Sequence, residues 1–482
     1  MNQSRTVSVP GAALPARDSR PGSGFLGSRA FEPLSRRERR GMIGLCVIAV
    51  LFGGIVELRS AFLQQRMTDL GVFLRAAWAI RVGANPYAVA DDRGWHYHYP
   101  PLLAITLGPL ADPPSGAEFD SVPFSVSVGI WYVVSLIQLA AGVHVLARAL
   151  ERTSTDPRVR SLSRGCRRWW VLRVVPVLVC LTAIGTSLSR GQTSILVLAL
   201  LCAMVAAAVQ LHRLRAGLWL AGAVCIKVFP AVLAIAPLWR RDWRWLAGLG
   251  VGSALTLVLL PAYVLGPTQA LRLGQAWTRV VLRPALSEHA DRTRSAELYS
   301  MTSTGNQSLL ALLHNLQYRA TKRADRPVGP GSGTRAVHLA IAASFLIATL
   351  VAADRAPASP AHVAVAHGLL ITAMLFTLPV CFFHYFVFVL PLVMSVLALT
   401  LEDRLHPTPR RVFWLLAVVY PFVVVIPDLP GLAVLRPLGL ATGVTAALWV
   451  SGLLGVILPF ETDNARQEND GQSHGIACRT MR

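Results

Sequence analysis

Lysine is almost missing from this chain of 482 residues: two lysines stand against 44 arginines, a ratio that reads as genome composition bias. Charge of either sign is sparse, at 15% of residues, and acids are sparsest, 25 against 46 basic side chains. So little charge beside 54% hydrophobic residues excludes a soluble domain of ordinary size. No C-x-x-C pair or ladder of cysteine spacings occurs. Five of the seven cysteines (Cys46, Cys180, Cys202, Cys225 and Cys381) lie inside apolar runs and read as small packed hydrophobes. The formal charge of +21 forms no single basic stripe, which argues against a nucleic-acid partner. The arginines gather instead in short segments between apolar runs, as cytoplasmic loops facing anionic lipid do. No repeated half is visible, although many transporters carry one.

What is present is a series of membrane-length apolar runs, each crossing needing roughly 20 residues. The expected fold is therefore all-α, a polytopic membrane protein with about ten to twelve transmembrane helices. Residues 1–40 read as a disordered basic cytoplasmic tail, with eight arginines against three acids, residues 41–460 as the membrane domain, and 461–482 as a disordered tail. The run at 41–58 is too long for a signal h-region and is the first crossing. Residues 69–81 put Leu70, Phe73, Leu74, Ala77 and Ile80 on one face with Arg75 off it, which predicts an amphipathic interfacial helix. Run 102–111 is too short to span comfortably. Run 216–238 has arginines at both ends, so a bend and return at Lys227-Val-Phe-Pro230 is expected. The external loops are expected at about 60–98 and 267–335.

Asp69 falls just beyond the first crossing, at a boundary of lipid and water. It reads either as a general base or, with Thr68, as a helix cap. Lys227 lies in the middle of an apolar run: an ammonium for a phosphate, or a snorkelling or ion-paired side chain. Arg190-Gly191-Gln192 is a phosphate clamp or an interfacial turn, and His384 beside Tyr385 is a ligand or a packed ring. Asn306-Gln307-Ser308 reads as a turn that also matches a glycosylation sequon, and His96 and His98 have no evident third metal ligand.

Taken in order, Asp69-Leu-Gly-Val-Phe-Leu-Arg75, Asn85-Pro-Tyr87, Tyr99-Pro-Pro101, Arg190-Gly-Gln192, Ile226-Lys-Val-Phe-Pro230, Asn306-Gln-Ser308 and His384-Tyr385 resemble glycosyltransferase family 87. These are polyprenol-phosphate-mannose-dependent mannosyltransferases of the membrane GT-C fold. The resemblance implies that Asp69 is the acid of the first external loop, the general base. It implies donor-phosphate contacts from Lys227, Arg190, His384, Gln192 and Tyr385. Arg75, Tyr99, Asn306 and Gln307 are expected as acceptor contacts or site lining. The partners implied are membrane lipid, a polyprenyl-phosphate-sugar donor and a glycolipid or glycan acceptor, with no cofactor and no metal. The long arginine-rich tail and the doubled His-Tyr-His-Tyr before Pro100 depart from the family pattern. A bacterial plasma membrane with an external active site is expected. A flippase of a lipid-linked sugar or a non-catalytic scaffold are the competing classes.

Overall fold

In the computed structural model the described residues run from 32 to 458, apart from 64–68, 118–120, 155, 161–164, 283–296, 298–300, 304, 323–324, 328, 357–358, 427–428 and 430. Thr68, both outermost tails and much of the 267–335 connection lie outside them. The described residues are helical, and their β-pairing is limited to two isolated bridges, Pro33 with Cys166 and Ala90 with His96.

Among the described residues seven helical stretches are long and apolar enough to cross a membrane, or eight if one bent pair counts as a crossing. The first is α1 (Arg36–Glu57), continued to Phe62 by one π-helical turn; it starts at a capping box between Ser35 and Glu38. Next come α2 (Asp69–Arg81), the short α3 (Pro101–Thr106) and the long α4 (Phe124–Thr153). A four-residue α5 (Pro157–Arg160) precedes the bent pair, α6 (Arg167–Val179) and α7 (Leu181–Arg190). The two helices of that pair meet at a bend of 65°. Pro176 sits inside α6, and a proline inside a helix is a recognised cause of such bends.

Helix α8 (Ser194–Val209) and α9 (Arg213–Ile226) follow. After the break at Lys227 and Val228, a 3-10 stretch (Phe229–Ala234) leads into α10 (Ile235–Trp239). Arg213 pairs with Asp242 at 3.2 Å, so the two ends of the 213–242 segment meet. The expected bend and return at Lys227 is therefore present. Helix α11 (Trp243–Ala254) runs through a π turn into α12 (Leu260–Leu265) and α13 (Pro267–Trp277). Helix α9 crosses α11 at glycine: a Cβ on Gly217 would lie 2.1 Å from the Trp245 carbonyl, and one on Gly248 2.2 Å from that of Leu214. In a bilayer such close backbone approach is a main source of helix association.

The remaining helices are α14 (Leu309–Gln317), α15 (Ser332–Arg355), α16 (Pro360–Thr377), α17 (Leu390–Leu401), α18 (Pro407–Val425) and α19 (Leu440–Ile457). Burial orders them. The Phe383–Leu401 crossing is 89% buried over its apolar window, and α1 only 6%. The first is the axis of the bundle; the second faces lipid.

Helix α2 corrects one expectation. Instead of lying on an interface with one apolar face, it is buried on nearly all sides, with Val72, Ala76 and Ala79 buried as well as Leu70 and Phe73. Arg75, only 5% exposed, is the reason a charge is tolerated there: Nη2 meets Asp92 at 2.8 Å and Nε donates to the Asp112 carbonyl at 3.1 Å.

The helices give the molecule two ends. At one, Arg167 of α6 pairs with Glu38 of α1 at 2.8 Å, and Arg168 donates to the Leu401 carbonyl. At the other lie the end of α1, the start of α2, the α7–α8 turn and the tip of α9.

Candidate active site

The α7–α8 turn is built from a backbone requirement. Gly191 adopts the left-handed conformation (φ 65°, ψ 32°) that ends α7. A Cβ there would stand 2.6 Å from the Leu70 Cβ. Glycine thus lets the turn lie against the first turn of α2, and its two neighbours close on Asp69. Arg190 Nε donates to Asp69 Oδ2 at 3.0 Å, its Nη2 approaches Oδ1 at 3.4 Å, and Gln192 Nε2 also donates to Oδ2.

Gln192 connects the acid to the broken helix. Its Oε1 accepts from Lys227 Nζ at 2.9 Å, and Ser194 Oγ lies 3.5 Å from the same nitrogen. The ammonium stands 4.5 Å from the centre of the Tyr385 ring and 5.3 Å from that of Tyr99, distances suited to cation–π attraction. Phe229 packs edge-on to Tyr385, and Phe73 edge-on to Tyr99. Lys227 is 1% exposed, yet among the described residues no carboxylate pairs with it directly. His384 lies within electrostatic reach of Lys227 and Arg190. It is 2% exposed, and among the described residues neither ring nitrogen has a hydrogen-bond partner.

Asp69, Arg190, Gln192, Lys227, Tyr99, Tyr385 and His384 therefore share one neighbourhood, although the chain scatters them over more than 300 residues. Three other residues singled out from the sequence do different work. Arg75 is occupied by Asp92 and, at 3.9 Å, by Asp112. Burial pushes the Asp112 carboxyl up; Arg75 pulls it back, and Asp92 adds to the rise. Asn306 and Gln307 clip the loop before α14 onto the segment leading to His384. Asn306 Oδ1 accepts from the Ser308 and Cys381 amides, both at 3.0 Å, and the Gln307 amide donates to the Cys381 carbonyl at 2.7 Å. With Asn306 3% exposed, that side chain is a staple and offers no free surface for a glycan.

Sequence reasoning missed Ser194, which opens α8 two residues after Gln192, a spacing that signals a polar cluster at a helix start. Phe229 reads in the sequence only as part of the break at Lys227-Val-Phe-Pro230, and its packing on Tyr385 has no local signal. His96 and His98 meet Glu297 of the long connection at 3.0 and 3.3 Å, and among the described residues no group of three side chains is disposed to hold a metal.

No curated protein matches the chain. Among solved structures it is similar to ArnT from Cupriavidus metallidurans bound to undecaprenyl phosphate. That likeness has 16% identity and a TM-score of 0.35, and covers 86% of this chain and 78% of the other. The profile of glycosyltransferase family 87 matches residues 97–379. The match takes in Tyr99, the Arg190–Gln192 turn, the break at Lys227 and the Asn306 clip; Asp69 and His384 flank it on either side. Because it spans more than half of the sequence, this membrane protein belongs to glycosyltransferase family 87.

Proposed function

We propose that the protein transfers a sugar, mannose by its family resemblance, from a polyprenyl-phosphate donor to an acceptor hydroxyl on a glycolipid or glycan. The observation that carries this reading is the buried ammonium of Lys227, held 2.9 Å from a neutral amide and, among the described residues, without a direct carboxylate partner. A buried unpaired charge is costly, and a ligand anion removes the cost. Arg190 and His384 flank the same space, and the first turn of α8 adds the positive end of a helix. These groups suit the phosphate of a departing lipid monophosphate, where fixed positive charge aids catalysis most.

Asp69 supplies the base. Its Oδ2 accepts from two donors at once, whereas among the described residues Oδ1 has only the long 3.4 Å approach of Arg190. Oδ1 is thus the oxygen left to take the acceptor proton. The acceptor oxygen forms a bond to the anomeric carbon, the bond to the phosphate oxygen breaks, and the electron pair leaves with the lipid phosphate. A single displacement of this kind inverts the anomeric centre.

An apolar groove of about 870 Å³ between α3, α11–α12 and α13, lined by Pro101, Leu257, Val258, Leu271 and Trp277, supports a place for the polyprenyl chain. None of the charged site residues lines it; Pro101, in its wall, lies two residues after Tyr99 of the cluster. The arginine-rich opposite end supports a cytoplasmic orientation there. The site would then open on the external face of a bacterial plasma membrane.

The test is sugar transfer by purified protein in vesicles containing radiolabelled polyprenyl-phosphate-mannose and membrane lipid extract as acceptor. Transfer by the wild type, lost in Asp69→Asn with donor binding kept, is the expected result. Unchanged transfer by that variant removes Asp69 from the chemistry. Lys227→Ala is expected to weaken donor binding more than acceptor binding.

A further inference from the structure

The resemblance implies a donor-phosphate contact for Gln192, but both ends of its side chain are already engaged within the protein. Gln192 is 6% exposed, and its two amide atoms face opposite charges: the NH2 group meets the Asp69 carboxylate, and the carbonyl oxygen meets the Lys227 ammonium. A carboxylate only accepts hydrogen bonds and an ammonium only donates them. A primary amide satisfies both in one orientation. A glutamate in its place would repel Asp69, and an apolar side chain would satisfy neither.

The backbone fixes that orientation as well. The Gln192 amide donates to the Ser187 carbonyl at 3.0 Å, and the left-handed Gly191 packs on Leu70. The side chain is thus delivered between α2 and the tip of α9 from a turn with little freedom to shift. The other faces of the ammonium are taken by Ser194 and by the rings of Tyr385 and Tyr99.

We infer that Gln192 is a positioning residue, a polar spacer that keeps Lys227 and Asp69 one amide apart and so prevents them from collapsing into a direct ion pair. The inference deepens the proposed function and rests on it for the identity of the anion. A direct pair would disable both partners. The carboxylate would lose its proton-accepting oxygen to the ammonium, and the ammonium would arrive at the donor phosphate already neutralised. With the amide between them, Oδ1 of Asp69 stays clear of the ammonium, and Lys227 faces only a neutral amide, a hydroxyl and two rings, none of which neutralises its charge. Arg190 neutralises Asp69 chiefly through Oδ2, the oxygen that Gln192 also takes, and reaches Oδ1 only at 3.4 Å.

The chain offers a direct probe. With lysines only at 227 and 322, ¹³Cε-lysine labelling gives a two-signal spectrum in which Lys227 is assigned by Lys322→Arg. In the full-length protein, the near-isosteric Gln192→Met is expected to move the Lys227 signal and to weaken undecaprenyl phosphate binding about tenfold or more, a difference of 1.4 kcal/mol per decade. Adding Asp69→Asn is expected to return the signal and restore affinity to within about threefold, because the ammonium then has no carboxylate to collapse onto; this is a double-mutant test of coupling. Gln192→Ala, checked for folding by thermal melting, serves as the second variant.

A double variant that binds as poorly as the single one overturns the inference and makes Gln192 a phosphate contact. A Gln192→Met protein whose signal and affinity match the wild type overturns it too. A wild type that binds no undecaprenyl phosphate, while the Lys227 signal still responds to positions 192 and 69 as described, supports the spacer and overturns the donor assignment.

Discussion

The two ends of the bundle both bury charge, and they do so differently. At the arginine-rich end Arg173 lies 4.0 Å over Trp169 and meets both oxygens of Glu151, at 2.6 and 2.9 Å. Glu402 next to it accepts from Ser154 at 2.5 Å and is flanked by Arg168 and Arg404, both at 3.6 Å. Each buried ion there has an opposite ion against it. At the other end Arg190 and Lys227 share a single carboxylate, only one of them touches it, and His384 keeps both nitrogens unpartnered among the described residues. Saturated pairs can hold helices together, whereas an excess of one sign is unfavourable until a ligand of the other sign arrives. On the proposed function, the first end is structural and the second carries the chemistry.

The sharpest way to break this division is Asp69→Asn. Loss of a positioned base is expected to lower the transfer rate by about 10²–10⁴-fold. Radiolabel transfer measures it, and thermal melting should show the fold retained. The converse variant is Arg173→Ala, which leaves Glu151 buried alone. It is expected to destabilise the protein by about 3–5 kcal/mol, read as a lowered midpoint of denaturation, while transfer per folded molecule persists. Should Arg173→Ala abolish transfer in well-folded protein, the two ends are not separable.

Gly191→Ala sharpens the comparison at the backbone. The new Cβ meets Leu70 and occupies a left-handed residue, so the turn must shift. A displacement on the order of 1 Å at a reacting group costs about 10²-fold in rate. Kinetics should show the loss in turnover more than in donor affinity. Glu38→Gln sits at the weak end of the scale. Its pair with Arg167 is a partly exposed one, 37% on the acid side, and such pairs contribute about 1 kcal/mol or less. A denaturation midpoint close to wild type is expected, and a large drop would make the arginine-rich end more cooperative than its exposed pairs suggest.

The sequence made the membrane helices legible because hydrophobic runs and their arginine punctuation are local signals. It also disclosed the break at Lys227, where a proline and a stranded charge interrupt one run, and the turn at Gly191, where glycine separates two. It did not disclose the burial of α2. The stripe of Leu70, Phe73, Leu74, Ala77 and Ile80 was real, but Arg75 had partners in Asp92 and Asp112 that no periodicity announces. Likewise Asn306 reads locally as a turn, and nothing near it in the sequence announces that its oxygen accepts from the Cys381 amide, 75 residues away. The meeting of Asp69 with Arg190 and Gln192 spans more than 120 positions and depends on packing, which composition does not encode.

Helix α1, so thinly attached to the bundle, is followed by an acid seated at the start of the largely buried α2. A bilayer that thickens or thins is met first by tilt of its loosest crossing. Tyr132, whose hydroxyl donates to the Ala49 carbonyl at 2.6 Å, gives α1 a pivot against α4. The first crossing can therefore lean with its lipid surroundings while the reaction geometry a few residues downstream stays put.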